Sequence, residues 1–268
     1  YYEQLSAILM HHGYEVGVYC MKYPFADHTQ AVPVYPWRLC HHMSQYDAIM
    51  CPPDLAQRAA TYGRPLIPIV QRDYVPVMPY DKVKGVIFCC EHLQAKYMLP
   101  TKTMVWRPMC RLKERTEPRQ FKKVVGAVNL ANTKGGSHVF ALARKFPTWE
   151  FVALNQHFNF RDMPENMTIY KWNNDLEFVQ KFYDSVGIMY LPYQNEGYNT
   201  VALEAVSQHI PIIGHDIAGI SEVMTPETNT DLNLWDAKSY GDASKLVALR
   251  WQQIEGLNDL PKLLNFIA

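Results

Sequence analysis

The sequence predicts an α/β protein made of two doubly wound, Rossmann-like domains that face each other across a cleft. Its 268 residues are enough for two modest domains. Short runs that are apolar at almost every position alternate with segments of helical period, which is the pattern of βαβ units. Residues 111–120 are charged and lack this periodicity, so they indicate a linker. We therefore expect an N-terminal domain over residues 1–118 and a C-terminal domain over residues 119–268.

The composition is that of a folded protein, with 48% hydrophobic and 19% charged residues. The 26 Lys and Arg residues balance the 26 Asp and Glu residues, so no broad field attracts nucleic acid or an anionic membrane. No apolar run approaches the roughly 20 residues of a membrane-spanning helix, and the N-terminal residues lack the pattern of a secretory signal. We expect a cytoplasmic protein without a transmembrane segment and without a nucleic-acid signal.

The six cysteines all lie in the first 110 residues, and no pair has Cys-x-x-Cys spacing. This pattern predicts reduced, buried thiols rather than a disulfide framework. Adjacent histidines occur at His11 and His12 and again at His41 and His42, but neighbouring side chains rarely meet the tetrahedral geometry of a metal site. We therefore expect no metal ion and no other cofactor.

The second half of the chain has the clearer alternation of strands and helices. Strands are predicted over residues 123–128, 150–154, 167–170, 186–191 and 210–214. Helices are predicted over residues 137–146, 176–184 and 199–208. Strands that are apolar throughout and joined by helices indicate a parallel sheet that is buried on both faces, with right-handed crossovers.

The first half repeats this order less regularly. Helices are predicted over residues 1–12, 54–62 and 92–98, and strands over residues 15–20, 48–50, 66–70 and 85–89. Ligands of doubly wound sheets bind outside the carboxyl ends of the strands, so the segments that follow the predicted strands are the candidate binding sites.

The first candidate segment follows the strand at 186–191 and opens the helix at 199–208. A helix start leaves backbone N–H groups that favour an anion, here near Asn199 to Val201. Glu204 shares a helix face with Thr200, and Glu196 lies just before the turn. Carboxylates accept hydrogen bonds from hydroxyls, so the segment suits a ligand with phosphates and hydroxyls. The alternative is a solvated helix face with an acidic loop residue.

The second candidate segment, Asn129 to Ser137, lies between the strand at 123–128 and the next helix. Its glycines allow a ligand to approach the backbone closely, and Lys134 supplies a point charge suited to phosphate. The order of residues is not that of a Walker P-loop. The alternative is an exposed loop lysine before a capped helix.

Together the two segments resemble the donor-binding half of retaining glycosyltransferases of the GT-B fold, of the family-four type (glycosyl transferases group 1). Glu196 and Glu204 reproduce the family's pair of glutamates separated by seven residues, and Lys134-Gly135 matches its lysine-glycine pair. Residues 210–214 and 218–223 resemble the strand and short helix that follow this motif. The resemblance covers residues 121–225 well and the first half in outline.

The resemblance implies a compact GT-B protein with an acceptor-side domain followed by a donor-binding domain. The donor would be a UDP- or GDP-sugar, a substrate rather than a cofactor. The sugar would pass, with retention of configuration and without a metal, to a hydroxyl of a glycan, a lipid-linked glycan or another acceptor.

The resemblance also implies roles for individual residues. Glu196 and Lys134 would be catalytic, with Glu196 on the sugar hydroxyls and Lys134 on the diphosphate. Glu204 would hold the ribose hydroxyls, and Lys171 and Trp172 would lie near the base, although Trp172 is equally explained as a core residue. The implied donor-binding residues are Asn129, Lys134, Gly135, Lys171, Trp172, Glu196, Gly197, Tyr198, Asn199, Thr200, Val201 and Glu204.

The sequence also departs from the family pattern. Asn129 stands near the place of an arginine that serves as a second diphosphate cation, and the family's first strand and glycine-rich loop would precede Tyr1. Two alternatives therefore stay open. One is a non-catalytic binding or assembly module derived from the GT-B fold. The other is a sugar-nucleotide epimerase, which needs further catalytic acids in the first domain.

Overall fold

The computed structural model describes residues 2–20, 34–36, 42–156, 160, 162–173, 175–257 and 259–268. The chain divides into two compact units, one formed by Tyr1–Met109 with Asp259–Ala268 and the other by Cys110–Asn258. Each unit contains a parallel sheet and helices, so the α/β class predicted from the sequence is confirmed.

The first unit is built around a parallel four-stranded sheet. Its described strands are β1 (Val18–Cys20), β2 (Val34–Pro36), β3 (Ile49–Cys51), β4 (Leu66–Val70), β5 (Val86–Phe88) and β6 (Thr103–Val105). The helices before and between them are α1 (Tyr2–His11), α2 (Ala56–Ala59) and α3 (Glu91–Lys96). Strands β3, β4, β5 and β6 are neighbours in that order, and β1 pairs in parallel with β2.

Four elements of the first unit differ from the prediction. The strand expected over residues 15–20 pairs only from Val18 onward, and β2 and β6 were not predicted. In β6 the two outer residues are only half-buried, so its three-residue sequence lacks the apolar run that marks a strand. The helix expected over residues 54–62 is α-helical only in α2, with one 3-10 turn on each side.

The second unit contains the elements that the sequence predicts most clearly. Its strands are β7 (Val124–Val128), β8 (Glu150–Asn155), β9 (Met167–Lys171), β10 (Ile188–Leu191) and β11 (Ile212–Gly214). Its helices are α4 (Gly136–Lys145), α5 (Leu176–Ser185), α6 (Thr200–Ser207), α7 (Ala218–Ser221) and α8 (Ala237–Glu255). All four strand pairs are parallel, as the apolar runs predict. The expected burial on both faces does not hold for β9, which lies at the edge of the sheet and has only Met167 buried.

The last helix, α9 (Leu260–Ile267), belongs to the first unit and not to the C-terminal domain in which the sequence placed it. Its Leu263 is buried in one core with Leu5, Ile67 and Ile87. A Cβ atom at Gly85 would lie 2.4 Å from the ring of Phe266, so the helix packs directly on the start of β5. The apolar face of α9 is covered by residues that are distant from it in the sequence. The local sequence therefore does not reveal that the helix belongs to the first unit.

The boundary between the units also lies earlier than the predicted one at 118/119. Residues 111–120 were expected to form a linker, but they pack within the second unit. The amide of Arg115 donates to the Ser207 carbonyl at 3.2 Å, and the Gln208 side chain donates to the Lys113 carbonyl at 2.7 Å. Hydrogen bonds to backbone carbonyls therefore hold this segment in the second unit. The hydrophobic periodicity of a sequence does not reveal such bonds.

The strand order of the second unit, β11-β10-β7-β8-β9, places a crevice at one point of the sheet edge. From β7 the chain continues to β8 and β9 on one side, and then returns to β10 and β11 on the other side. The segments that leave β7 and β10 therefore diverge at the carboxyl edge, which is where ligands bind in this type of sheet. Both candidate segments predicted from the sequence lie at this point.

Candidate functional site

A cavity of about 540 Å³ lies at the carboxyl ends of β7, β8 and β10 in the second unit. Its size is within the range of small-molecule sites, about 300–1,000 Å³. Its lining is formed by residues 128–131, Lys134, residues 154–156, Phe160, Trp172, Tyr193, Glu196 and residues 198–201.

The segment after β7 is shaped by two residues with left-handed backbone conformation. Asn129 has φ 63°, and its side-chain oxygen accepts a hydrogen bond from the Ala131 amide at 3.2 Å. Asparagine tolerates this conformation better than most residues, and its side chain here closes the turn. Gly135 has φ 74°, and a Cβ atom there would lie 2.3 Å from the Pro192 carbonyl oxygen. The segments after β7 and β10 are thus in close backbone contact.

The segment after β10 ends in a well-formed helix start. The Asn199 side chain accepts a hydrogen bond from the Ala202 amide at 2.7 Å, and the Asn199 carbonyl accepts from the Leu203 amide at 3.1 Å. The first two amides of α6, on Thr200 and Val201, lie outside this helical ladder on residues that line the cavity. Such a helix start favours a negatively charged ligand group.

Lys134 and Glu196 form an ion pair across the two segments. Their side chains are 26% and 20% exposed, and the Lys134 ammonium also lies 4.8 Å from the centre of the Tyr193 ring. Among the described residues that line the cavity, Lys134 and Glu196 are the only ones with a charged side chain. The structure therefore brings both residues that the sequence predicts to be catalytic to one wall of the cavity, beside the start of α6.

Tyr193 was not predicted as a site residue. It is buried, and its hydroxyl donates a hydrogen bond to the Val128 carbonyl at 2.6 Å. Burial raises the pKa of Tyr193, and the nearby charge of Glu204 raises it further, so the hydroxyl stays protonated and remains a donor. The position of Tyr193, two residues after a buried strand at the carboxyl edge, is the signal that could have identified it.

Glu204 does not line the cavity, although Thr200 on the preceding turn does. Its side chain is 7% exposed, accepts a hydrogen bond from the Tyr183 hydroxyl at 2.7 Å and lies 3.9 Å from Arg111. Burial raises the pKa of Glu204, and the contacts with Tyr183 and Arg111 oppose this shift. The helical spacing predicted a face shared with Thr200, but α5 and the segment before β7 cover the second turn of α6.

The remaining predicted residues lie around the cavity in different ways. Trp172, Tyr198 and Asn199 line it, whereas Gly135, Gly197 and Lys171 are absent from the lining. A Cβ atom at Gly219 would lie 1.8 Å from the Gly197 carbonyl oxygen, so glycine at position 219 lets α7 approach the segment that carries Tyr198 and Asn199. Lys171 is exposed at the end of β9.

The end of the cavity next to the carboxyl ends of β8 and β9 is lined by aromatic rings and amide groups. Trp172 donates its backbone amide to the Asn155 carbonyl at 2.9 Å, and the Phe160 ring packs edge-on against Phe140. The buried Asn155 side chain accepts from the Leu130 amide at 3.0 Å and ties β8 to the segment after β7. Asn155, Gln156 and Phe160 were missed in the sequence, although a polar residue at the end of a buried strand was a usable signal.

A second cavity, of about 510 Å³, lies in the first unit. Its charged residues are paired with one another, because Arg107 contacts both Asp259 and Glu91. Asp259 precedes α9, so this arrangement helps to hold the last helix on the unit.

Among the described residues, no group of three His, Cys, Asp or Glu side chains could hold a metal ion. No helix among them combines the length and the apolar character required to cross a membrane.

No protein-family model matches the chain, and no curated protein matches it. Solved structures do, and they assign it the Rossmann-like GT-B fold of glycosyltransferases. Sucrose-phosphate synthase from Thermosynechococcus elongatus has a TM-score of 0.70 at 13% identity, over 99% of this chain and 92% of that chain. WaaG, a glycosyltransferase involved in lipopolysaccharide biosynthesis, has a TM-score of 0.61 at 12% identity, over 99% of this chain and 94% of that chain.

TarM is also similar, with a TM-score of 0.62 at 14% identity. The match covers 82% of this chain but only 54% of TarM, so the chain spans about half the length of that protein. A TarM variant from S. aureus has been solved in complex with fondaparinux, α-GlcNAc-glycerol and UDP. The predicted resemblance to the GT-B fold is thus confirmed, and these similarities identify the fold alone.

Proposed function

We propose that this chain is a glycosyltransferase that binds a UDP- or GDP-sugar at the carboxyl edge of β7 and β10 and transfers the sugar to a hydroxyl acceptor. One observation carries the proposal. Lys134 and Glu196, which are distant in sequence, meet beside the start of α6 in a cavity with aromatic residues at its other end. The bound UDP in the TarM variant, a protein of the same fold, supports a nucleotide-sugar donor.

The diphosphate is the part of the donor that the site explains best. Its negative charge grows when the bond to the sugar breaks, so a fixed cation stabilises the transition state more than the ground state. Lys134 and the first amides of α6 supply this positive potential, and we therefore propose a metal-independent departure of the nucleoside diphosphate. Retention of configuration belongs to the proposal through the sequence resemblance.

Glu196 is proposed to accept hydrogen bonds from the hydroxyls of the transferred sugar. Its carboxylate pairs with Lys134 at the same wall of the cavity, and this supports a sugar position next to the diphosphate. The ribose role of Glu204 belongs to the same proposal. It requires a ribose hydroxyl to reach Glu204, which does not line the cavity in the structure and already accepts a hydrogen bond from the Tyr183 hydroxyl. A carboxylate accepts more than one hydrogen bond, so the Tyr183 contact can persist.

The base is proposed to lie at the aromatic end of the cavity. Trp172 and Phe160 offer ring surfaces there, and Asn155 and Gln156 offer amide groups that can hydrogen-bond to the base edge. Tryptophan at position 172 is therefore explained by the cavity rather than by a buried core, since its side chain is only half-buried.

A non-catalytic nucleotide-binding module is the second candidate. The Asn129 side chain closes a turn and supplies no charge, so Lys134 is the single cationic side chain among the described lining residues. A site with one cation can bind a diphosphate and still stabilise a departing one poorly. Measured turnover separates this candidate from the enzyme.

The proposed function is tested with a panel of UDP- and GDP-sugars, by calorimetric binding and by release of the nucleoside diphosphate. We expect one donor to bind, and Lys134→Ala to weaken its binding at least about tenfold and to lower turnover about a hundredfold. Lys145→Ala is the matched control, because Lys145 is an exposed lysine at the end of α4 in the same unit. The absence of any donor binding by the unchanged chain refutes the proposal. Binding without turnover favours the non-catalytic module.

A further inference from the structure

We propose that Tyr193 is a positioning residue that holds the Lys134 ammonium in the place where it meets the donor diphosphate. This inference rests on the proposed function and assigns a role to a residue outside the motif that the sequence suggested. It begins from one observation: the ammonium of Lys134 lies over the face of the Tyr193 ring, 4.8 Å from the ring centre.

A lysine needs such a partner because its side chain has four rotatable bonds and carries its charge at the tip. Glu196 also contacts the ammonium, but the proposed function assigns Glu196 to the sugar hydroxyls. A diphosphate that binds Lys134 therefore competes with Glu196 for the same ammonium. The ring face of Tyr193 does not compete, because a cation–π contact uses one side of the ammonium and leaves its other hydrogens for an anion.

Tyr193 is itself fixed in place. Its side chain is buried, and its hydroxyl donates to the carbonyl of Val128, the last residue of β7, at 2.6 Å. The tyrosine belongs to the segment after β10, so this hydrogen bond spans the point at which the two segments diverge. The neighbouring contact between Gly135 and Pro192 keeps the backbone that follows Lys134 close to the backbone that precedes Tyr193. The ring is thus a rigid surface next to a flexible cation.

The experiment distinguishes the contribution of the Tyr193 ring from that of its hydroxyl. It also distinguishes binding of the phosphates from binding of the base. Affinities of the chain for uridine, UDP, guanosine, GDP and inorganic pyrophosphate are measured calorimetrically for the unchanged chain, Tyr193→Phe and Tyr193→Leu. We expect Tyr193→Phe to keep UDP or GDP affinity within about threefold, because the ring remains. We expect Tyr193→Leu to lose about tenfold for the diphosphate and pyrophosphate and nothing for the nucleoside.

A double-mutant cycle with Lys134→Ala tests whether the effect acts through the lysine. In the Lys134→Ala background, Tyr193→Leu should weaken diphosphate binding no further. Additive losses, or an equal loss of nucleoside affinity, overturn the inference and leave the proposed function standing. If the unchanged chain binds neither UDP nor GDP, both the proposed function and this inference fail.

A second series does not depend on the leucine variant folding. Phenylalanine, 4-fluorophenylalanine, 3,5-difluorophenylalanine and pentafluorophenylalanine at position 193 keep the ring size and progressively weaken the negative potential of its face. Diphosphate affinity should fall stepwise along the series while nucleoside affinity and the midpoint of thermal unfolding stay constant. Equal diphosphate affinity in all four proteins overturns the inference.

Discussion

The backbone conformation, hydrogen bonds and pKa of single residues in this region depend on their neighbours in space. Asn129 is suited to its left-handed turn, and Tyr193 to a buried hydrogen bond with the Val128 carbonyl. Glu204 is the clearest case, because it is a carboxylate whose side chain is 7% exposed. Its burial disfavours the charged form, while the Tyr183 hydroxyl and Arg111 favour it. The balance raises its pKa, so the folded chain binds this proton more tightly than the unfolded chain.

The raised pKa of Glu204 predicts how stability depends on pH. Its contribution to the free energy of unfolding is present at low pH and is lost as pH rises above the ordinary value of 4.5 and through the raised pKa. Glutamine at position 204 has no carboxyl group to ionise, so Glu204→Gln does not lose stability in this way as pH rises. Its amide oxygen can still accept the Tyr183 hydrogen bond. We therefore expect Glu204→Gln to unfold at a higher temperature than the unchanged chain at neutral pH, with a difference that shrinks on acidification.

Thermal unfolding across this pH range checks that prediction, with Glu150→Gln as the control at an exposed glutamate. The control variant should follow the unchanged chain throughout. A stability difference for Glu204→Gln that does not vary with pH would show that the buried charge is not its cause.

At the scale of secondary-structure elements, the start of α6 links stability to ligand binding. Asn199 caps the helix through its side chain and is itself buried, and its own amide donates to the Gly219 carbonyl at 3.1 Å. The cap also fixes the direction in which the first amides of the helix point. An eight-residue helix depends on such a cap, because it has few internal hydrogen bonds.

Replacement of the cap should therefore lower the stability of the protein and weaken ligand binding together. We expect Asn199→Ala to lower the free energy of unfolding by about 1 kcal/mol and to weaken nucleoside diphosphate binding. Asn199→Ser retains an oxygen that can cap the helix and should restore most of both. Chemical denaturation and calorimetric titration measure the two effects. If the serine variant behaves like the alanine variant, the cap is not what the site requires.

At the scale of the whole molecule, polar segments decide where the units begin and end. Residues 110–118 join the second unit through Arg115, which bonds to the Ser207 carbonyl and pairs with Asp184 at 3.0 Å. The Arg119 guanidinium then contacts the carbonyls of Tyr183 and Val186 in the interior. A segment that looks like a linker in composition is therefore part of the packed structure.

Fragments of the chain test this boundary. We expect a fragment of residues 110–258 to unfold cooperatively, and a fragment of residues 119–258 to unfold at a lower temperature. The shorter fragment loses several hydrogen bonds, each worth about 1 kcal/mol, and exposes groups that they satisfy. Circular dichroism during heating compares the two. Identical unfolding midpoints would mean that residues 110–118 do not belong to the cooperative unit.

The sequence determined much of this protein by itself. The strands of the second unit were readable because most residues in each are apolar, and the order of strand, turn and helix predicted the edge where Lys134 and the start of α6 lie. These features are local, since a buried strand and a helix start are encoded by consecutive residues.

Only the tertiary structure decided the features that depend on distant partners. It paired Lys134 with Glu196 over the Tyr193 ring, turned Glu204 toward Tyr183, and packed α9 in the first unit. Helical spacing fixes which side chains share a face, but it does not say what covers that face. The direction and protonation of a side chain are set by burial and by neighbours from other strands, and the chain acquires these only when it folds.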